Sequence, residues 1–250
     1  MTFPIRLAIL NNKDDTGNSD NVPECGFGIG GVNPPPVPPP GTIPGVSTPY
    51  VGYWKLLETE GSEAEDYSEN LLPMEYVGGV ELGTKNAAFF NGSSAYALGE
   101  NTAMYDTTTA ISVVAYFRIE QLRDQAAIVS KWGVEKSWGL FHNLNGTLQF
   151  VINGGSGIIS VDTFTDVDTV YKVIVTYDGT TTKLYVNDVS VSFTGTLSGE
   201  IQKTTENINI SRKNDGSAFF IGWLRDIYIY RYALSETEIL EFKDIEMGGV

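Results

Sequence analysis

The chain has a single cysteine, Cys25, and a single histidine, His142. One cysteine excludes an intrachain disulfide, so the fold must rest on its core or on a bound metal. One histidine excludes a histidine-based metal cluster. Basic residues are scarce as well: 16 Lys and Arg stand against 31 Asp and Glu, a formal net charge of −15. Such a surface keeps a protein soluble and repels phosphate backbones, which argues against nucleic-acid binding. No apolar run approaches the ~20 residues of a membrane helix, so membrane insertion is not expected. Near the N-terminus the only apolar run is Leu7 to Leu10, followed by Asn11-Asn12-Lys13-Asp14-Asp15. A secretory leader needs roughly 7–15 apolar residues and a small-residue cleavage site, so none is expected here.

What is present divides the chain in two. Its 250 residues suffice for one large all-β domain with an appendage. Residues 1–49 hold the glycine-rich stretch Gly26-Phe-Gly-Ile-Gly-Gly31, with little side-chain surface to bury. The run Pro34-Pro35-Pro36-Val37-Pro38-Pro39-Pro40 follows, which is neither helix nor central strand. Seven such residues favour polyproline II, a stiff rod of roughly 20 Å. A disordered linker has the same composition. The reading carried forward is an extended anchoring arm, with Pro34, Pro35, Pro36, Pro38, Pro39 and Pro40 against a partner chain of a larger assembly. The flanks lack the basic residue that a proline-binding adaptor groove would want.

From Tyr50 the period is two. Ile111–Phe117, Thr147–Ile152, Tyr171–Tyr177, Lys183–Asn187, Asn207–Ile210 and Asp226–Arg231 all alternate as strands do. Asn145-Gly146, Asn153-Gly154-Gly155 and Asp178-Gly179 supply turns, and the segment Asp178 to Thr182 predicts a hairpin. Ser235-Glu-Thr-Glu238 is a capping box opening a short C-terminal helix. The prediction is an all-β, two-sheet antiparallel sandwich over 50–250 with one short C-terminal helix, preceded by the Gly/Pro-rich arm.

The order of short motifs adds a resemblance. Tyr53-Trp-Lys-Leu56, Asp66-Tyr-Ser-Glu-Asn70, Ala87–Tyr96, Ile111–Phe117, Ile128-Val-Ser-Lys-Trp132 and Trp138-Gly-Leu140 come first. Val175–Gly179, Lys183–Asn187, Gly222–Tyr230 and Ala233-Leu-Ser235 follow. The set resembles the laminin-G-like subgroup of the concanavalin A-like lectin/glucanase superfamily over about residues 50–243. That resemblance implies a jelly roll whose C-terminal helix closes one end. It does not imply an activity, because the fold hosts lectins, glycosidases and inert spacers.

Three kinds of site follow from the resemblance. Glucanases of the superfamily carry Glu-x-Asp-x-x-Glu on a strand, which aims paired carboxylates into a cleft. Here Asp66-x-x-Glu69 has Ala64 at the first position, and no nucleophile motif accompanies His142, so no enzyme is expected. Between Lys55 and Lys85 every charged residue is acidic, and such oxygen-rich loops suit calcium. The resemblance makes Asp66 and Asp226 the metal candidates and Ca²⁺ the cofactor. Arg225 stands where the family carries an acid, placed to neutralise the site by pairing with Asp66. Trp132, Trp138 and Tyr105 are the candidates for stacking on sugar rings, although both tryptophans also belong to the family's core signature. Sequons at Asn91, Asn145 and Asn209 are read as accidental without a leader.

A domain type that works outside cells, without leader or disulfide, fits a virion component made in the host cytoplasm. The expectation is a non-catalytic accessory protein of a phage particle, as head decoration or tail component. The arm would bind other virion proteins and the jelly roll would meet host-surface polysaccharide. The alternative is a carbohydrate-binding module of a surface or secreted protein.

Overall fold

The structure, a computed structural model, describes residues 50–242 and Met247. The anchoring arm of residues 1–49, including Pro34 to Pro40, lies outside the described residues. The domain opens with β1 (Gly52–Trp54), β2 (Glu63–Ala64), β3 (Met74–Val77), β4 (Glu81–Thr84), β5 (Ala87–Asn91) and β6 (Tyr96–Gly99). A 3₁₀ turn at Ala103–Tyr105 leads into the long β7 (Ile111–Ile119), then β8 (Ala126–Trp132), β9 (Lys136–His142), β10 (Leu148–Ile152) and β11 (Ile158–Ser160). The last third holds β12 (Tyr171–Tyr177), β13 (Thr182–Val186), β14 (Val189–Ser190), β15 (Phe193–Gly195), β16 (Ile208–Ile210) and β17 (Ile221–Tyr230). The short helix α1 (Glu236–Ile239) follows.

The strands form two sheets. One has the order β14-β13-β12-β7-β17-β5-β4, with β1 also paired to β17. The other has the order β15-β11-β10-β9-β8-β16-β6-β3-β2. Their pairings are antiparallel. This is the predicted jelly-roll sandwich, and the predicted hairpin is the β12–β13 turn, where the Asp178 carboxylate accepts the N–H groups of Thr180 and Thr181.

Alternation explains the core. Ile111, Val113, Ala115 and Phe117 of β7, and Val173, Val175 and Tyr177 of β12, face inward against Trp138 and Leu140 of β9 and Phe150 of β10. Burying each such side chain is worth about 1.5–3 kcal/mol. The residues between them are also buried. Val114, Tyr116, Ile174, Tyr228 and Tyr230 pack on the outer face of the eight-stranded sheet beneath Leu234, Ile239 and Phe242. The capping box holds this cover in place: Ser235 Oγ accepts from Glu238 N, and Glu238 Oε2 accepts from Ser235 N at 2.8 Å. Ser112 Oγ ties it to β7 by accepting from Leu234 N and donating to the Tyr232 carbonyl.

Strand β17 is not a simple alternating strand. Its register against β7 shifts between Arg225 and Tyr228, and Asp226 takes φ of 46°. The extra residue lets Leu224, Ile227 and Ile229 all reach the core, which an unbroken period of two forbids.

Candidate functional site

The metal candidates come first because both are buried. Asp66 sits at an isolated bridge to Trp54. Its Oδ1 accepts from Tyr53 N (2.9 Å) and Ser68 N (2.8 Å). Its Oδ2 accepts from Ser68 Oγ (2.7 Å) and Leu72 N (2.8 Å). Asp226 accepts from the Tyr53 hydroxyl at 2.7 Å on Oδ1 and from Arg225 Nε at 2.7 Å on Oδ2. Tyr53 therefore links the two aspartates, one through its backbone and one through its phenol. Burial, then the Asp226 charge, push that phenol above the ordinary tyrosine range.

These groups do not fit calcium. A carboxylate that already accepts from protein N–H and O–H groups on both oxygens has little to offer a cation that needs six to eight oxygens. No group of three or more His, Cys, Asp or Glu side chains able to hold a metal occurs among the described residues. The expected Asp66–Arg225 pair is corrected too. The bulge turns Arg225 onto Asp226 and onto the Asn86 carbonyl.

The aromatic candidates separate. Trp138 and Tyr105 are core residues, 0% and 1% exposed, so neither offers a ring face to a sugar. Trp132 lies on the outer face of the nine-stranded sheet, edge-on to Phe141 with centroids 5.8 Å apart. His142 ends β9 inside the sandwich, against Phe117, with Nε2 2.8 Å from the Phe164 carbonyl. A carbonyl only accepts, so the neutral ring carries its proton on Nε2. Asn209 is fully buried, which closes its sequon.

Two open clefts lie at one end of the sandwich. Four connections converge there: β5–β6, β7–β8, β9–β10 and β16–β17. A cleft of about 370 Å³ is lined by Gly92, Gln121, Arg123, Asp124, Ala218 and Phe219. A second of about 370 Å³ is lined by Asp124, Asn143, Leu144, Asn145, Thr147 and Ile159. Asp124 belongs to both, so the two clefts adjoin at an exposed carboxylate and are called the end groove below. The β9–β10 turn is held by Asn145 Oδ1, which accepts from Thr147 N and Oγ1, and by Asn143 Nδ2, which donates to Thr147 Oγ1. Such a groove can hydrogen-bond a polyhydroxylated ligand, with Phe219 and exposed Leu144 as apolar contact. None of these residues stood out in the sequence as a ligand contact; Asn145 was read there only as a turn residue and a sequon, and Thr147 as the start of a strand. Gln121, Arg123 and Asp124 are ordinary loop residues there, and only the meeting of four distant loops marks them.

Comparison with known proteins agrees with the architecture. Residues 90–240 match a laminin G family model described as the concanavalin A-like lectin/glucanases superfamily. No curated protein matches the chain. Among solved structures, the binding domain of Paraclostridial Mosquitocidal Protein 1 superposes with a TM-score of 0.61 at 16% identity, over 77% of this chain and 52% of that one. The Botulinum neurotoxin serotype D binding domain gives 0.56 at 16% identity, over 76% and 49%. Trypanosoma rangeli sialidase in complex with sialic acid gives 0.57 at 15% identity, over 76% and 32%. The chain thus spans about half of each toxin domain and a third of the sialidase. At these identities the likeness is one of fold.

Proposed function

The chain belongs to the concanavalin A-like lectin/glucanases superfamily, and from that premise we propose that it is a non-catalytic domain that binds glycans at the end groove around Asp124. The observation that carries this reading is the groove itself: two clefts sharing one exposed carboxylate, lined by amides, a guanidinium and a phenyl ring. Adjacent sugar hydroxyls are paired donors and acceptors, and planar carboxylate, amide and guanidinium groups answer them two at a time. The carboxylate pair that glycoside hydrolysis requires has no counterpart at Asp66, whose oxygens are taken, or at Glu69, which is exposed.

The test is a polysaccharide array on the full chain, followed by Asp124→Ala. Asp124 is exposed, so the variant should keep its melting temperature while losing about tenfold or more in affinity, the value of a charge-assisted hydrogen bond. Equal binding by the variant would remove the groove from the function.

We further propose the setting: an accessory protein of a phage particle, head decoration or tail component. In it residues 1–49 anchor the chain to other virion proteins, and the jelly roll meets host-surface polysaccharide. The Pro/Gly-rich arm ahead of an acidic domain supports this reading. The likeness to toxin binding domains favours a second one, a carbohydrate-binding module of a surface or secreted protein.

A further inference from the structure

The two clefts that adjoin at Asp124 differ in what they still present to a ligand. In the first, Gln121 and Arg123 make no side-chain hydrogen bond among the described residues, and Phe219 adds a ring. In the second, most polar groups already satisfy one another. Asn145 Oδ1 accepts from Thr147 N at 3.2 Å and from Thr147 Oγ1 at 2.8 Å. Thr147 Oγ1 in turn accepts from Asn143 Nδ2 at 3.0 Å. Left over are the Asn143 Oδ1 acceptor and the Asn145 Nδ2 hydrogens, which donate to nothing among the described residues. The rest of this cleft is an apolar wall, Leu144 at 59% exposure and half-buried Ile159. Between the clefts stands the exposed Asp124 carboxylate, which has no ion pair and accepts no hydrogen bond among the described residues.

The wall of the second cleft is held in place. Leu144 stands at the tip of the β9–β10 turn, which is closed by bonds from Gly146 N to the Asn143 carbonyl and from Asn143 N to the Thr147 carbonyl, each 2.9 Å. Phe164 N donates to the Gly146 carbonyl at 2.7 Å. Gly146 takes φ of 84°, and a Cβ there would come within 2.3 Å of Thr165 Cγ2, so the turn rests directly on the segment that follows β11. A leucine carried on a turn braced in this way loses little backbone freedom when a ligand covers it.

An acceptor carboxylate, a free amide N–H edge and an apolar wall line one cleft of about 370 Å³. Among the substituents of sugars, a hydroxyl has nothing for the wall, and a deoxy carbon has nothing for the carboxylate. An acetamido group answers all three, with an N–H donor, a carbonyl acceptor and a methyl. We infer that the saccharide taken by this groove is N-acetylated: its acetamido N–H donates to Asp124, its carbonyl accepts from Asn145 Nδ2, and its methyl covers Leu144 and Ile159. The sugar ring then lies in the first cleft against Phe219, with its hydroxyls on Gln121 and Arg123. The inference rests on the glycan-binding reading above and adds the class of glycan.

The full chain is titrated by calorimetry with chitotetraose and cellotetraose, which share one glucose backbone and differ in an acetamido or a hydroxyl at the second carbon. Methyl glycosides of N-acetylgalactosamine and N-acetylmannosamine, each beside its parent hexose, and of the deoxyhexose rhamnose are compared by saturation-transfer NMR. At least one acetamido sugar should bind about tenfold tighter than its hydroxyl counterpart, the joint effect of one buried methyl and one added hydrogen bond. Its acetyl methyl should receive the strongest saturation. Leu144→Ser should cut the preference about fourfold, the value of one methyl contact, with an unchanged melting temperature because the side chain is mostly exposed. Leu240→Ser, another exposed leucine, should change nothing. If no acetamido sugar outbinds its counterpart, the inference is overturned and the glycan reading is left to Asp124→Ala. Binding of the rhamnoside alone, or a preference that Leu144→Ser leaves intact, would overturn it equally. No binding by any saccharide, here or on the array, would remove both.

Discussion

Asp66 collects four hydrogen bonds on two oxygens, and His142 gives one from a ring with no access to solvent. Both show how a buried ionisable residue is accommodated: the anion by donors, the base by staying neutral. For His142, burial holds the folded pKa below its ordinary 6.5 and outweighs the Phe164 contact. Between the folded pKa and about 6.5 the unfolded chain binds the extra proton, so stability is complete above that value and falls as pH drops through the window. Urea midpoints at about pH 7.5 and 5.5 should therefore separate for the parent. They should separate less for His142→Gln, whose amide can still donate to Phe164. Equal separation would place the acid sensitivity elsewhere. That His142 is the single histidine was visible in the sequence; its place at the end of β9 and its burial were not.

At the scale of elements, the strands and turns were legible because alternation and Asx-Gly turns are local. The same holds for α1. Its Ser235–Glu238 box forms as the residue types require, and Glu238 also accepts from Tyr232. Ser235→Ala should cost about 1 kcal/mol, a loss of roughly 2–4 °C in melting temperature. A calorimetric scan checks it, and no shift would mean that Leu234, Ile239 and Phe242 seat the segment by packing alone. Strand β17 was harder to read. The bulge at Asp226 uses an aspartate in the left-handed region where glycine would have signalled it. A side chain's direction after the bulge therefore could not be read from spacing. The pairing of Arg225 with Asp226 follows from that single residue, whereas Asp66 is occupied by donors from its own loop and from β1.

At the scale of the whole molecule, the eight-stranded sheet is covered on its outer face by the C-terminal segment, while one end of the sandwich presents the groove around Asp124. The proposed division of labour, a binding end on the sandwich and an anchor in residues 1–49, can be tested. If the chain is the proposed phage-particle component, deleting residues 1–49 should abolish incorporation into the particle while leaving polysaccharide affinity unchanged, measured by sedimentation of particles and by calorimetry. Undiminished incorporation would sink the anchoring proposal. Loss of glycan affinity would instead assign the arm to the binding domain.

The sequence by itself determined the sandwich, its hairpins and its capped helix, since periodicity, turn residues and caps act over a few neighbouring positions. The tertiary structure alone decided which aromatics are core. It alone decided that Asp66 and Asp226 spend their oxygens on protein donors, and that Asp124, Asn143 and Phe219 meet at one end. Those outcomes depend on loops brought together from positions about 90 to 220, and such distances are closed by packing rather than by any local pattern.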